Sequence, residues 1–199
     1  MMTKLKLGVL GSGKGSNFVS IQESILKGEL SAEIKVVMSD HSDAGILERA
    51  RGYGIPAIAL PQSQFKTKLE PEIEGKLVEL LKEHQVDWVI LAGYMRVVKK
   101  PLLEAYPDRI LNIHPSLLPA FKGLVAWKQA LAAGVPEAGC TVHLVNEGVD
   151  EGEILGQRSV PVERGDTSES LHARIQKAEH LLFPEVLVKL SKNNLRINS

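Results

Sequence analysis

The chain has 199 residues, with 24 Lys plus Arg against 24 Asp plus Glu, so its formal net charge is zero. This length suits one domain with a full core. The neutral balance supplies no global field to draw in nucleic acid or an anionic membrane, so an anionic small molecule has to be held by local groups.

Apolar runs of strand length alternate with amphipathic segments. Leu5–Leu10 predicts a first strand and Asn17–Lys27 a first helix, followed by a strand at Ile34–Met38, a helix at Ala44–Tyr53 and a strand at Ala57–Leu60. Glu72–His84 predicts a helix with Leu77, Leu80, Leu81 and His84 at helical spacing. Strand Trp88–Ala92, a short helix Pro101–Ala105 and strand Ile110–Ile113 come next. Such alternation predicts an α/β fold, a Rossmann-like open, mostly parallel sheet with helices on both faces. Trp127–Ala133 predicts a further helix. The runs Cys140–Val145 and Ile154–Val162 are joined by only eight residues, too few for a helical crossover. They predict an antiparallel C-terminal excursion whose loop carries Asp150. A last helix is expected over Ser168–Lys189, opened by the cap and first-turn acids of Asp166-Thr167-Ser168-Glu169. Pro184 is expected to kink or split it. No repeat or linker breaks the pattern, so residues 1–199 read as one domain.

The single cysteine, Cys140, has no internal partner and fits a reducing cytoplasm. It lies in an apolar run, where a buried inert thiol is expected rather than a nucleophile. Met1–Lys6 lacks a hydrophobic signal core, and no apolar run approaches the roughly 18 residues of a membrane span. The expected location is the cytoplasm.

Between the first strand and the first helix the chain reads Gly11-Ser12-Gly13-Lys14-Gly15-Ser16-Asn17. Glycines permit a tight turn, and the free amides of a helix start suit an anion. Two nucleotide-binding patterns nearly fit. The dinucleotide pattern wants a third glycine where Ser16 stands, although Asp40 lies near the ribose-binding position. The nucleoside-triphosphate loop wants Ser or Thr where Gly15 stands. A phosphate monoester fits these residues better than either, with a plain turn capped by Ser16 as the alternative.

Leu91-Ala92-Gly93-Tyr94-Met95-Arg96-Val97-Val98 leaves a strand without an immediate helix. Ligands bind at the carboxyl edge of an open parallel sheet, and an apolar loop with one arginine suits a flat heteroaromatic ring. A packed loop is the alternative, and it leaves Arg96 unexplained.

In Leu111-Asn112-Ile113-His114-Pro115, alternate residues of a strand face one side. The Asn112 amide and the His114 imidazole therefore enter one space, and Pro115 ends the strand. An amide donor and a titratable base there suit oxyanion stabilisation and proton transfer. The bland alternative is a strand end with two satisfied polar groups. His143, in a strand pattern, is expected to be a packed histidine, and His41, His84 and His172 carry no pattern. The histidines lack zinc-type spacing, so no metal is expected.

Three blocks together resemble the folate-dependent formyltransferases: Gly13-Lys14-Gly15-Ser16-Asn17, Leu91-Ala92-Gly93-Tyr94-Met95-Arg96, and Asn112-Ile113-His114-Pro115-Ser116-Leu117-Leu118-Pro119 with Asp150. The likeness runs from Leu7 to about Leu190. Within the family the chain is most similar to members that formylate phosphoribosylglycinamide in purine synthesis. The resemblance implies a transferase of one-carbon metabolism with 10-formyltetrahydrofolate as co-substrate and no metal. It implies catalytic roles for Asn112, His114 and Asp150. It places Gly15, Ser16 and Asn17 on the substrate phosphate and Glu179 on the ribose hydroxyls. Met95, Arg96, Val97 and Val98 would line the folate pocket, largely through backbone groups, with Asn112 and Lys68 beside them. Asn112 and protonated His114 would stabilise an oxyanion, while Asp150 would favour charged His114 and help a water relay the proton. The implied partners are the two small molecules, with no nucleic acid and no membrane; monomer and homodimer both remain open.

The chain departs from the family pattern after Pro119. Lys122 stands where many members have proline, and Val125 where many have histidine. The Phe121-Lys122-Gly123 form is similar to the methionyl-tRNA formyltransferases, which share the catalytic Asn, His and Asp but carry a further nucleic-acid-binding domain after the transfer domain. A neutral charge and a chain that ends soon after its last helix point away from a tRNA partner. Formyltetrahydrofolate hydrolase, with water as acceptor, is the nearest rival function. A non-catalytic dinucleotide-binding module is another, and it leaves Asn112, His114 and Asp150 unexplained.

Overall fold

The computed structural model describes residues 4–192. In chain order the elements are β1 (Leu5–Leu10), α1 (Ser16–Leu26), β2 (Ala32–Ser39), α2 (Gly45–Gly52), β3 (Ala57–Ala59), α3 (Pro71–Glu83), β4 (Trp88–Leu91), α4 (Lys100–Ala105), β5 (Ile110–His114), α5 (Ala126–Ala133), β6 (Glu137–Leu144), β7 (Ile154–Pro161) and α6 (Ser168–Ser191). Among the described residues the strands form one seven-stranded sheet in the order β3-β2-β1-β4-β5-β6-β7. Pairing is parallel from β3 to β5 and antiparallel where β6 meets β5 and where β7 meets β6.

Strand alternation sorts the core into two layers. Leu7, Val9, Ile90, Leu111 and Ile113 pack with α1, α2 and α6 through Phe18, Ile21, Leu47, Ile175 and Phe183. Leu10, Val89, Leu91 and Ile110 turn to the other face, against Leu77 and Leu81 of α3 and Leu102 of α4. Each sheet face is thus apolar, as a mostly parallel sheet covered on both sides requires. The Leu77 and Leu81 stripe is buried, as its spacing predicts.

Several details differ from the sequence pattern. β6 begins at Glu137, earlier than the apolar run at Cys140, because exposed Glu137 and the side-chain-free Gly139 hide a stretch that pairs with Pro161 and Ser159. Helix α1 is capped by Gly15 in the left-handed region (φ 77°), with no side-chain cap, so Ser16 is its first residue and not its cap. Pro184 does not split α6. Its neighbours Phe183, Val186 and Leu187 are fully buried, and that packing holds both halves in one helix. Thr167 opens α6 as expected: its hydroxyl accepts from the Ser170 N–H at 3.2 Å, and the Ser170 hydroxyl accepts from the Thr167 N–H at 2.9 Å. Among the described residues no helix is long and apolar enough to cross a membrane. Leu118-Pro119 is a cis peptide.

Candidate active site

A cleft of about 420 Å³ opens at the carboxyl ends of β1, β4 and β5. Gly15, Ser16, Asn17, Met95, Arg96, Val97, Val98, Asn112, His114, Asp150 and Glu179 all line it, although they are scattered from the first helix to the last. A second depression of about 720 Å³ lies at the opposite edge, lined by Lys4, Glu33, Lys35 and Glu83. It gathers surface charges beside buried Gln22, and none of its titratable groups is buried.

The reversal at β6 builds the centre of the cleft. Asn112 and His143 are register partners across the β5–β6 ladder, so their side chains stand on one face. His143 Nδ1 lies 2.7 Å from the Leu144 carbonyl, which can only accept, so that nitrogen carries the proton. In the neutral ring Nε2 then accepts from Asn112 Nδ2 at 3.2 Å, which fixes the amide. A protonated Nε2 would instead face Asp150 Oδ1 at 3.6 Å. Both nitrogens of buried His114 also face acceptors: Nε2 is 2.9 Å from the Phe121 carbonyl and Nδ1 is 3.4 Å from Asp150 Oδ2. The cationic ring uses both N–H bonds.

Asp150 sits in the loop between β6 and β7 with φ 54°, a conformation uncommon outside glycine. Its Oδ2 also accepts from the Gly123 N–H at 2.9 Å. Burial pushes its carboxyl up, but His143, the Gly123 amide and the charge of His114 outweigh that and hold it below the usual carboxylate range. Gly152 lets the loop return, because a Cβ there would lie 1.7 Å from the Leu144 carbonyl oxygen. His143, read from sequence as a packed residue, is indeed buried, yet it also orients the centre. Only the β5–β6 register, invisible in a short motif, could have revealed that.

One end of the cleft is polar. No acidic residue occupies the first turn of α1 and no side chain caps it, so its leading amides are available to an anion. Lys14 lines the cleft beside them. Glu179 of α6 is 6 % exposed and accepts from Asn17 Nδ2 at 2.8 Å. Burial raises its carboxyl to about 7 against that hydrogen bond. Asn17 Oδ1 is buried without a partner and so awaits a donor. Trp127 and His172 stack at 3.8 Å between ring centroids and form part of the same wall, with Gln176 nearby. None of these three residues carries a sequence signal, since an isolated Trp, His or Gln on a helix reads as ordinary.

The other end is apolar, with Leu91, Val97, Val98 and Val145 in its walls and exposed Met95, Leu124 and Val149 at its rim. The Arg96 guanidinium does not serve the cleft. Its Nε donates to Asp40 Oδ2 at 2.5 Å and its Nη1 to the Phe65 carbonyl. Asp40 is thereby committed, so the ribose-binding position of the dinucleotide pattern is filled by an internal ion pair. Lys68 lies over the Phe65 ring, and its neighbour Thr67 takes the place on the cleft wall. Among the two departures from the family pattern, Lys122 pairs with Glu151 at 2.8 Å, and Val125 caps α5 at φ 51°. The Cys140 thiol is fully buried, and burial pushes it up to about 12, so it stays a protonated, inert thiol. Among the described residues no group of three or more His, Cys, Asp or Glu is arranged to hold a metal ion.

Residues 5–187 match the family model described as formyl transferase. The chain is 40 % identical to phosphoribosylglycinamide formyltransferase of Bacillus subtilis over 191 residues, 96 % of this chain and 97 % of that protein. Among solved structures, glycinamide ribonucleotide transformylase 1 from Symbiobacterium toebii superposes with a TM-score of 0.94 at 46 % identity, covering 98 % of this chain and 92 % of that one. A formyltetrahydrofolate deformylase from Pseudomonas syringae pv. tomato also shares the fold, at TM-score 0.91, but with 25 % identity and only 64 % of its own chain covered. With a match along nearly its whole length and a centre built from Asn112, His114 and Asp150, the chain belongs to the formyl transferase family.

Proposed function

We propose that the chain transfers the formyl group of 10-formyltetrahydrofolate to the glycinamide amine of 5-phosphoribosylglycinamide, giving the formylated ribonucleotide and tetrahydrofolate in purine synthesis. The observation that carries this reading is one cleft with three parts: a free helix start at one end, apolar walls at the other, and Asn112, His114 and Asp150 between them. The amides of Gly15, Ser16 and Asn17 hold the phosphate, and Glu179 takes the ribose hydroxyls. The Met95–Val98 backbone and the apolar walls take the folate ring, which brings the formyl carbon as an electrophile. Asn112 donates to the formyl oxygen as the amine attacks, and His114, whose ring nitrogens face the Phe121 carbonyl and Asp150, lends positive charge beside the negative charge that builds there. Asp150 faces His114 Nδ1 and, through a water, moves the proton from the attacking amine to the leaving folate nitrogen as the old carbon–nitrogen bond breaks. Binding both substrates in one cleft contributes much of the rate through orientation.

A hydrolase would share the trio but has no use for a buried carboxylate and an unpartnered amide oxygen beside a free helix start. That polar end favours a ribonucleotide acceptor. The test is incubation with 10-formyltetrahydrofolate, with and without phosphoribosylglycinamide, following tetrahydrofolate and formylated acceptor. Transfer dependent on the acceptor is the expected result; release of formate at the same rate without it would assign the chain to the hydrolases.

A further inference from the structure

Arg96 is one of the residues around the cleft, yet its side chain, 8 % exposed, is taken up by Asp40 and the Phe65 carbonyl. Asp40, from the end of β2, is 1 % exposed at its side chain and divides its two oxygens. Oδ2 accepts from Arg96 Nε at 2.5 Å and has His41 Nε2 at 3.4 Å, while Oδ1 accepts from the Ser12 hydroxyl at 2.6 Å. Ser12 in turn touches the segment twice: its hydroxyl accepts from the Met95 N–H at 2.9 Å, and its N–H donates to the Gly93 carbonyl at 3.0 Å. A hydroxyl has one proton. Because Asp40 takes it, the oxygen lone pairs of Ser12 are held toward Met95. Neither Ser12 nor Asp40 lines the cleft.

We propose that Ser12 and Asp40 are positioning residues, which act through Met95 and Arg96 to set the backbone of the folate-binding segment against the glycine loop. This rests on the folate reading given above. Gly93 to Val97 lies outside any helix or strand, so its course depends on such ties. Those ties are the Ser12 and Asp40 contacts, the bond from Arg96 Nη1 to the Phe65 carbonyl, and the Val97 N–H to Thr67 carbonyl bond at 2.7 Å. Backbone that reads a flat ring tolerates little displacement, since a binding constellation works only when held to within about 0.5 Å.

The experiment compares wild type with Ser12→Ala and Asp40→Asn in steady-state kinetics for both substrates, with thermal melting alongside. Ser12→Ala, the milder change, carries the test if Asp40→Asn fails to fold. The expected result is a rise of about tenfold or more in KM for 10-formyltetrahydrofolate, with kcat and the KM for phosphoribosylglycinamide changed by less than about threefold. An unchanged folate KM, or a fall of all three parameters in step with the melting temperature, overturns the proposal. A wild-type enzyme that does not bind 10-formyltetrahydrofolate overturns the folate reading instead.

Discussion

Asn112 is fixed from behind by His143, which leaves its amide preorganised toward the cleft. Asn112→Ala should cut turnover by about 10²–10³ while folate affinity changes far less; single-turnover rates beside equilibrium binding check this, and near-normal turnover would remove Asn112 from the chemistry. The Asp150 carboxyl is held below the ordinary carboxylate range, so it is ionised across the neutral region. Asp150→Asn should therefore lower turnover at every pH from about 5 to 9 by on the order of 10²–10⁴, without introducing a new inflection. A pH–rate profile that matches wild type would return Asp150 to an ordinary turn residue. Glu179 behaves oppositely. Its carboxyl titrates at about 7, and only the ionised form accepts from two hydroxyls. Affinity for phosphoribosylglycinamide should thus rise as pH climbs through 7, and Glu179→Gln should remove that rise; calorimetry across the range decides. That Asn112, His114 and Asp150 meet in one cleft was legible because they occupy a compact motif and one loop. His143, Trp127 and His172 were not, because each gains its role from a register or a helix–helix contact between distant stretches.

At the scale of elements, caps and turns set where the side chains arrive. Gly15→Val is a poor probe of phosphate binding, because a Cβ at φ 77° would lie 2.6 Å from the Ile46 side chain. That substitution should lower stability together with ribonucleotide affinity, and a melt recorded beside the binding curve separates the two. Thr167→Ala removes one half of the reciprocal cap of α6 and should cost about 1 kcal/mol in urea unfolding. Gly152→Ala places a methyl against the Leu144 carbonyl and should abolish activity by displacing Asp150, even where circular dichroism reports an intact fold. Element order was readable from sequence because a short unbroken apolar run, as in β4, differs cleanly from a period-3.6 stripe, as in α3. Element ends were less readable. Gly15 supplies a cap through its backbone alone, and Glu137 joins a strand through hydrogen bonds that leave no apolar mark.

For the molecule as a whole, stability should peak in mildly acidic solution. Asp150, Asp166 and Glu185 have depressed carboxyls, so the stability they contribute is present above their ordinary values near 3.8 to 4.5 and is lost as pH falls below them. Buried Glu179 and Glu74 are raised; stability from the protonated form is complete below about 4.5 and, for Glu179, is lost as pH rises through 7. Calorimetric melts from pH 4 to 9 should show a maximum between those limits, and Glu179→Gln should flatten the alkaline side. The parallel sheet with its reversed end was legible because the eight residues between the last two strand patterns forbid a crossover. The partnership of α6 with α1 across the cleft was not, since Asn17 and Glu179 stand 162 positions apart. That partnership ties recognition to assembly. Helix α6 places Leu171, Ile175, Leu182, Phe183 and Leu187 in the core and Glu179 in the cleft with the same docking motion. A nascent or clipped chain that ends before α6 already holds Asn112, His114 and Asp150, yet lacks both a finished interior and the proposed seat for the ribose. On the proposed reading, a copy that ends before α6 keeps the phosphate seat at the start of α1 but loses the carboxylate meant for the ribose, so it grips the ribonucleotide by one end only.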